Sequence, residues 1–204
     1  RLKSTSCAPN SAPLFDRVAL RHKERIYFMT WQTELNEVAQ RKTLAQRMGG
    51  EEKVARQHAH GKLTVRERID QLLDAGTFRE VGGLSGWAVR NTQGGIEDFV
   101  PTNQVAGWGH IDGQPVAVVG DDFTVRGGAS DASIFEKLMY PEHMAKGMRM
   151  PLVRLVDGTG GGGSVKQLEN MGYTYIPTVP GWEVVDQNLS QVPVVALAPG
   201  SVAG

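Results

Sequence analysis

The stretch LVRLVDGTGGGGS, residues 152–164, and its later counterpart VVALAPGSVAG, residues 194–204, decide the fold class. Each opens on a near-continuous apolar run and ends in a glycine-rich loop. A third segment, GDDFTVRGGAS at residues 120–130, leaves another apolar strand in the same way. Between the third segment and the first lies a helical stretch over roughly residues 131–150. Ile134, Leu138 and Met139 share one of its faces, and Pro141 is expected to break or kink it. Continuous apolar strands alternating with helices are strands covered on both faces, which is an α/β arrangement.

The repeating unit is strand, glycine-rich loop, helix, with loops at residues 126–130, 158–164 and 199–204. Glycine allows close backbone approach, and a helix start offers unpaired N–H groups at the positive end of its dipole. Such loops bind anions or polarise carbonyl oxygens. The unit alone is not specific, because Gly160 to Gly163 also suits a flexible surface loop. Neither a Walker Gly-Lys-Ser/Thr nor a Gly-x-Gly-x-x-Gly pattern occurs, and there is no nucleophile elbow and no His-Glu-x-x-His. Chemistry in this chain would lean on backbone donors.

Upstream, residues 30–75 are helical in character and heavily charged. Thr64 and Glu67 form a capping box, and Val65, Ile69, Leu72 and Leu73 then repeat as one apolar stripe, which Gly76 is expected to end. Arg41, Lys42, Arg47, Lys53, Arg56, His58, His60, Lys62, Arg66 and Arg68 make a basic run. It suits either a solvated helical face or a surface for an anionic ligand. His58 and His60 diverge on a helix, so no metal site is expected there. Residues 105–111 and 116–119 flank Asp112-Gly113, a turn pair favouring positive φ, and predict a β-hairpin.

Composition narrows the function classes. The 204 residues are 40% hydrophobic and 22% charged, which excludes both a disordered and a membrane-spanning chain, and no run approaches the length of a membrane helix. Lys+Arg 22 balances Asp+Glu 22, so the broad positive field of a nucleic-acid binder is missing. One cysteine, Cys7, leaves no intrachain disulfide and no cysteine-based zinc site, which fits a reducing compartment. Residues 1–28 are basic and precede the first methionine, Met29; they are expected to be a disordered or non-native extension, the alternative being a targeting segment. Residues 29–204 are expected to be one domain, cut short at Gly204 inside a loop.

Four segments together resemble a known family. QHAHGKLTVRERIDQLLDAGTFRE (57–80), DFTVRGGAS (122–130), LVDGTGG (155–161) and VVALAPGSVAG (194–204) are similar, in order and spacing, to the carboxyltransferase (β) subunits of biotin-dependent acyl-CoA carboxylases, the propionyl-CoA and methylcrotonyl-CoA type. The resemblance covers about residues 43–204. It implies a crotonase-like α/β superhelix of β-β-α units, of which this chain is most of the N-terminal carboxyltransferase domain.

It also implies the chemistry. Carboxybiotin, on a carrier protein or domain, releases CO₂; the freed ureido nitrogen takes the α-proton of the acyl-CoA thioester; the enolate attacks CO₂. Backbone amides of Val202, Ala203 and Gly204 would form the oxyanion hole, as the pair Val202-Ala203 or the pair Ala203-Gly204. Arg126, Gly127, Gly128 and Ser130, with Gly160, Gly161 and Gly162, would bind the acyl-CoA, although Ser130 also suits a plain helix cap. The family's arginine after its central glycine pair has no counterpart in Gly160-Gly-Gly-Gly-Ser164, which marks a divergent subgroup. The implied partners are acyl-CoA, a biotin carboxyl carrier or biotin carboxylase subunit, and further copies of the chain; no nucleic acid and no membrane span are expected. The expected compartment is the cytoplasm, or the mitochondrial matrix if residues 1–28 are a targeting segment. The same fold would also serve a biotin-dependent acyl-CoA decarboxylase, or a non-catalytic CoA-binding or assembly module. Because the resemblance puts the biotin-binding domain after Gly204, residues 1–204 alone are expected to be inactive.

Overall fold

The computed structural model describes residues 31–129, 132–158, 168–169, 172–173 and 181–200. The chain divides into two compact units, Arg1–Ala39 and Gln40–Gly204. In the first, the described residues are Trp31 and the start of helix α1 (Gln32–Gln46), where Gln32 Nε2 donates to Asn36 Oδ1 at 2.8 Å.

The second unit begins with the end of α1, followed by α2 (Glu51–Ala59) and α3 (Val65–Leu72). The capping box forms as expected: the Thr64 hydroxyl accepts the Glu67 N–H, and Glu67 Oε2 accepts the Thr64 N–H at 2.7 Å. Val65, Ile69 and Leu73 are buried, and Leu72 packs beside them. The helix stops short of Gly76, because Leu73 is already extended and the Asp74 N–H donates to His110 O at 2.8 Å. Gly76, at φ 74, belongs to the turn beyond.

A five-stranded sheet carries the core, in the order β1 (Arg79–Val81), β4 (Gln104–Ile111), β5 (Gln114–Asp121), β6 (Leu152–Leu155), β7 (Val194–Leu197). The β1/β4 and β4/β5 pairs are antiparallel, whereas β5/β6 and β6/β7 are parallel. The predicted hairpin is β4–β5, and Asp112 and Gly113 both have positive φ, at 50° and 76°, as a type I′ turn requires. Asp74 braces that turn by accepting the Gly113 N–H at 2.8 Å.

Alternation along β4 and β5 sorts side chains to the two faces. Val105, Val116 and Val118 pack with Val153 and Leu155 against α3. Ala106, Ala117 and Val119 pack with Leu152, Ala145, Met150 and Val192 on the other side. Parallel neighbours need long crossovers, and helices α4 (Phe135–Met148) and α5 (Trp182–Gln191) lie in the two crossovers. Pro141 does not break α4. Its ring is fully buried, so packing offsets the one backbone hydrogen bond it removes.

A separate two-stranded sheet pairs β2 (Gly86–Arg90) with β3 (Ile96–Pro101). Ile96 and Phe99 bury one of its faces against Leu44 and Ala45.

Candidate functional site

The parallel arrangement brings the carboxyl ends of β5, β6 and β7 to one edge, where Gly120, Leu155 and Leu197 lie side by side. Ligand sites of open α/β sheets form outside such strand ends. The loop after β5 is the best described. Asp122 is buried, and its Oδ1 accepts the Thr124 N–H at 2.9 Å and the Thr124 hydroxyl at 2.5 Å. Burial raises the pKa of Asp122 despite those bonds. Arg126, Gly127 and Gly128 follow in left-handed conformation, at φ 52, 66 and 69.

The amides of Gly127 and Gly128 are spent within this turn, on Phe123 O and Val125 O, each at 3.1 Å. The turn therefore contributes shape rather than free donors. Gly128 lies against the next loop: a Cβ there would meet Asp157 O at 2.6 Å and Gly158 Cα at 2.8 Å. Only glycine permits that approach.

Gly127 and Arg126 instead face a recess of about 470 Å³, lined also by Lys53, Arg56, Gln57, His60, Lys62, Phe123 and Thr124. None of these lining residues is acidic. Lys62 Nζ sits 5.7 Å from the centre of the Phe123 ring, a cation–π contact that holds the amine at the rim. His60 Nδ1 is 2.7 Å from Arg56 O. An adjoining recess of about 310 Å³ shares Lys53 and Arg126 and adds Arg47. The basic run thus divides. Lys53, Arg56, Lys62 and Arg47 border a cavity, Lys42 lines neither recess, and Arg66 and Arg68 are paired internally. Arg66 makes a bidentate contact with Glu80 at 2.8 and 3.1 Å.

The junction of the strand ends is built around Asp157, which is fully buried. Arg68 Nη1, itself nearly buried, lies 2.7 Å from Asp157 Oδ2, close enough for full ion pairing though not aligned as a hydrogen bond. The Asp157 N–H donates to Asp121 Oδ2 at 3.3 Å. Gly200, in the loop after β7, runs so close that a Cβ on it would collide with the Asp157 carboxylate. Burial, and secondarily the Asp157 charge, push the Asp121 carboxyl up to about 6. Asp121 also borders a second cavity of about 210 Å³, among Gln104, Glu142, Arg154 and Trp182.

Of the residues expected from sequence, Arg126 and Gly127 line the large recess, and Gly128 forms the loop-to-loop contact. Ser130, Gly160, Gly161, Gly162, Val202, Ala203 and Gly204 lie outside the described residues. The sequence signal for Asp157 is its place between an apolar run and a glycine loop, and Arg68 is one cation of a basic run that suits either a solvated face or an anionic-ligand surface. Among the described residues no three His, Cys, Asp or Glu side chains converge as metal ligands, and no helix is long and apolar enough to cross a membrane.

Comparison with known proteins gives a consistent family. The carboxyl transferase domain family matches residues 56–180. The carboxyltransferase subunit of propionyl-CoA carboxylase from Haloferax mediterranei is 37% identical over 134 residues, 65% of this chain and 26% of that protein. The methylmalonyl-CoA decarboxylase subunit alpha of Propionigenium modestum is 36% identical over 112 residues, 55% of this chain and 22% of the relative. Among solved structures, the transcarboxylase 12S hexamer with methylmalonyl-coenzyme A and methylmalonic acid bound matches with a TM-score of 0.61 at 28% identity, covering 86% of this chain and 32% of that one. The chain spans about a quarter of the length of the curated relatives it matches.

Proposed function

Since the chain belongs to the carboxyl transferase domain family and has a crotonase-like α/β fold, we propose that the protein it is part of is the carboxyltransferase component of a biotin-dependent acyl-CoA carboxylase. The observation that carries this reading is an acid-free basic recess bordered by the glycine turn at the end of β5, with Arg56, Lys62, Phe123, Arg126 and Gly127 of its lining inside the family-matched residues 56–180. Lys53, Arg56, Lys62 and Arg126 suit the phosphates of coenzyme A, as several cations around one open cavity attract a polyanion without burying it. The acyl thioester would then lie toward the strand ends, with its oxygen beside the amides of residues 202–204.

The residues present fit a reaction whose base arrives with the cofactor. Among the described residues of these loops, Asp122 and Asp157 are already committed to Thr124 and Arg68. Biotin, when bound on its carrier, supplies both the carboxyl group and the ureido nitrogen that accepts the α-proton. The chain's own part is to bind the coenzyme, orient the thioester and stabilise the charge growing on its oxygen. Each backbone donor of that kind is typically worth ~2.7–4 kcal/mol in the transition state. A carrier or carboxylase partner, further copies of the chain and a reducing compartment such as the cytoplasm belong to the same proposal.

The test is carboxyl transfer from methylmalonyl-CoA to free biotin by the full-length protein. Formation of carboxybiotin with release of propionyl-CoA supports the reading. Binding of acyl-CoA without any transfer would point to a non-catalytic CoA-binding module. The likeness to the P. modestum subunit supports a second reading, a decarboxylase component, in which the same half-reaction runs from acyl-CoA to biotin as the physiological direction.

A further inference from the structure

We propose that the buried Arg68–Asp157 ion pair is the positioning element that fixes the three strand-end loops relative to one another, an inference that rests on the carboxyltransferase reading for its kinetic consequence. Asp157 touches every loop at the junction. Its N–H reaches Asp121 at the end of β5 at 3.3 Å, its carbonyl oxygen faces Gly128 of the left-handed turn, and its carboxylate faces Gly200 of the loop after β7. Arg68 reaches that carboxylate from α3, the helix that starts just after Lys62 of the basic recess. One pair therefore links α3, which begins three residues after Lys62, to the strand-end loops.

Stability alone does not account for the charges. Two ions taken out of water cost several kcal/mol each, and an apolar pair of similar volume is often as stable or more so. Arg68 is only 9% exposed and Asp157 not at all, so little solvent is left to soften that cost. What the pair supplies is a fixed point. The Arg68 guanidinium on α3 holds the carboxylate by charge at 2.7 Å, and glycines at 128 and 200 let both neighbouring loops close on it. A displacement of about 1 Å at reacting groups can reduce a rate by about 100-fold. Arg68 and Asp157 are positioning residues in this scheme, acting through the loops.

The experiment uses the full-length protein with Arg68→Met, Asp157→Asn and the double variant. The single variants are expected to lose thermal stability, and the double variant to regain it, because no uncompensated charge remains. The double variant is nevertheless expected to keep a kcat about 100-fold low in transfer to free biotin, with KM for methylmalonyl-CoA within about twofold of wild type. Recovery of kcat together with stability would overturn the proposal. If wild-type protein shows no transfer at all, the functional reading fails, and the positioning role is read instead from amide hydrogen exchange. Exchange at Gly128, Gly158 and Gly200 should quicken by about tenfold or more in the double variant at unchanged global stability, through freer local opening; unchanged exchange would overturn the inference. Should the double variant not fold, Arg68→Lys decides: a lowered kcat at constant KM supports the role, and wild-type kcat removes it.

Discussion

The basic recess and the strand-end junction handle charge in opposite ways. In the recess Arg56 stays largely in water, and its bridge to Glu52 at 2.8 Å joins side chains 66% and 86% exposed. At the junction Arg68 and Asp157 are out of solvent and committed to each other. Exposed pairs contribute little to folding, whereas breaking a buried pair typically costs 3–5 kcal/mol. The recess can therefore vary in sequence at small cost to the fold and serve binding, while the junction cannot vary without disturbing geometry. Substitutions in the two regions should separate stability from affinity.

The largest effect is expected at the junction's backbone contact. Gly128 has φ 69, and a Cβ would sit 2.6 Å from Asp157 O, a backbone atom that cannot swing away. Gly128→Val should lower unfolding free energy by about 3 kcal/mol or more, from overpacking plus a strained φ. Chemical denaturation measures this, and a loss under about 1 kcal/mol would mean the loops are not in register as described.

The second test is pH, where two carboxylates should oppose each other. Asp121 is raised from 3.8 to about 6, chiefly by burial. The folded protein thus holds that proton more tightly than the unfolded chain, so the stability it brings is complete below pH 3.8 and lost as pH rises through 6. That term is on the order of 2–3 kcal/mol. Glu67, on α3, is lowered from 4.5 to about 2, first by its hydrogen bond with His58 and then by Thr64. Its contribution is present above pH 4.5 and lost as pH falls through 2. Asp121→Asn should remove the slope of stability between pH 4 and 6, and Glu67→Gln the slope at lower pH. Parallel slopes in both variants would show that the buried carboxylate is not perturbed as described.

Between these sits Thr64→Ala, which removes the N-cap of α3 and should cost about 1 kcal/mol. That cap was legible in the sequence because both partners lie within one turn. So were the β4–β5 hairpin, announced by Asp112-Gly113, and the stripe of Val65, Ile69 and Leu73. Local chemistry writes such features into neighbouring letters. Pro141 misled because the rule against proline inside a helix is local, whereas burial of its ring depends on the whole core. Arg68 and Asp157 were invisible for the same reason. Periodicity places Arg68 on a helix, but nothing in spacing says that its partner stands at the end of a distant strand. The candidate site was legible only as glycine loops and a basic run; that Lys53 and Lys62 share a recess with Arg126 is a fact of tertiary packing.

The smallest effect on stability and the sharpest on binding should come from the recess. By sequence, Lys42, Arg47, Arg56 and Lys62 belong to one basic run that suits either a solvated helical face or a surface for an anionic ligand. The structure splits the set, since Arg56 and Lys62 line the large recess, Arg47 the adjoining one, and Lys42 neither. Arg56→Gln and Lys62→Gln should each shift stability by less than about 0.5 kcal/mol, as surface changes usually do. Each should weaken coenzyme A binding by roughly two- to fivefold, the equivalent of an exposed charge contact. Removing a cation from an attractive set also flattens the response to salt, because screening then has less attraction to remove. Titration of full-length protein with coenzyme A at two salt concentrations tests this, with Lys42→Gln as the internal control. If Lys42→Gln flattens the salt dependence as much as Lys62→Gln does, the recess is not where the phosphates sit, and the basic run acts only as a diffuse field over the helices.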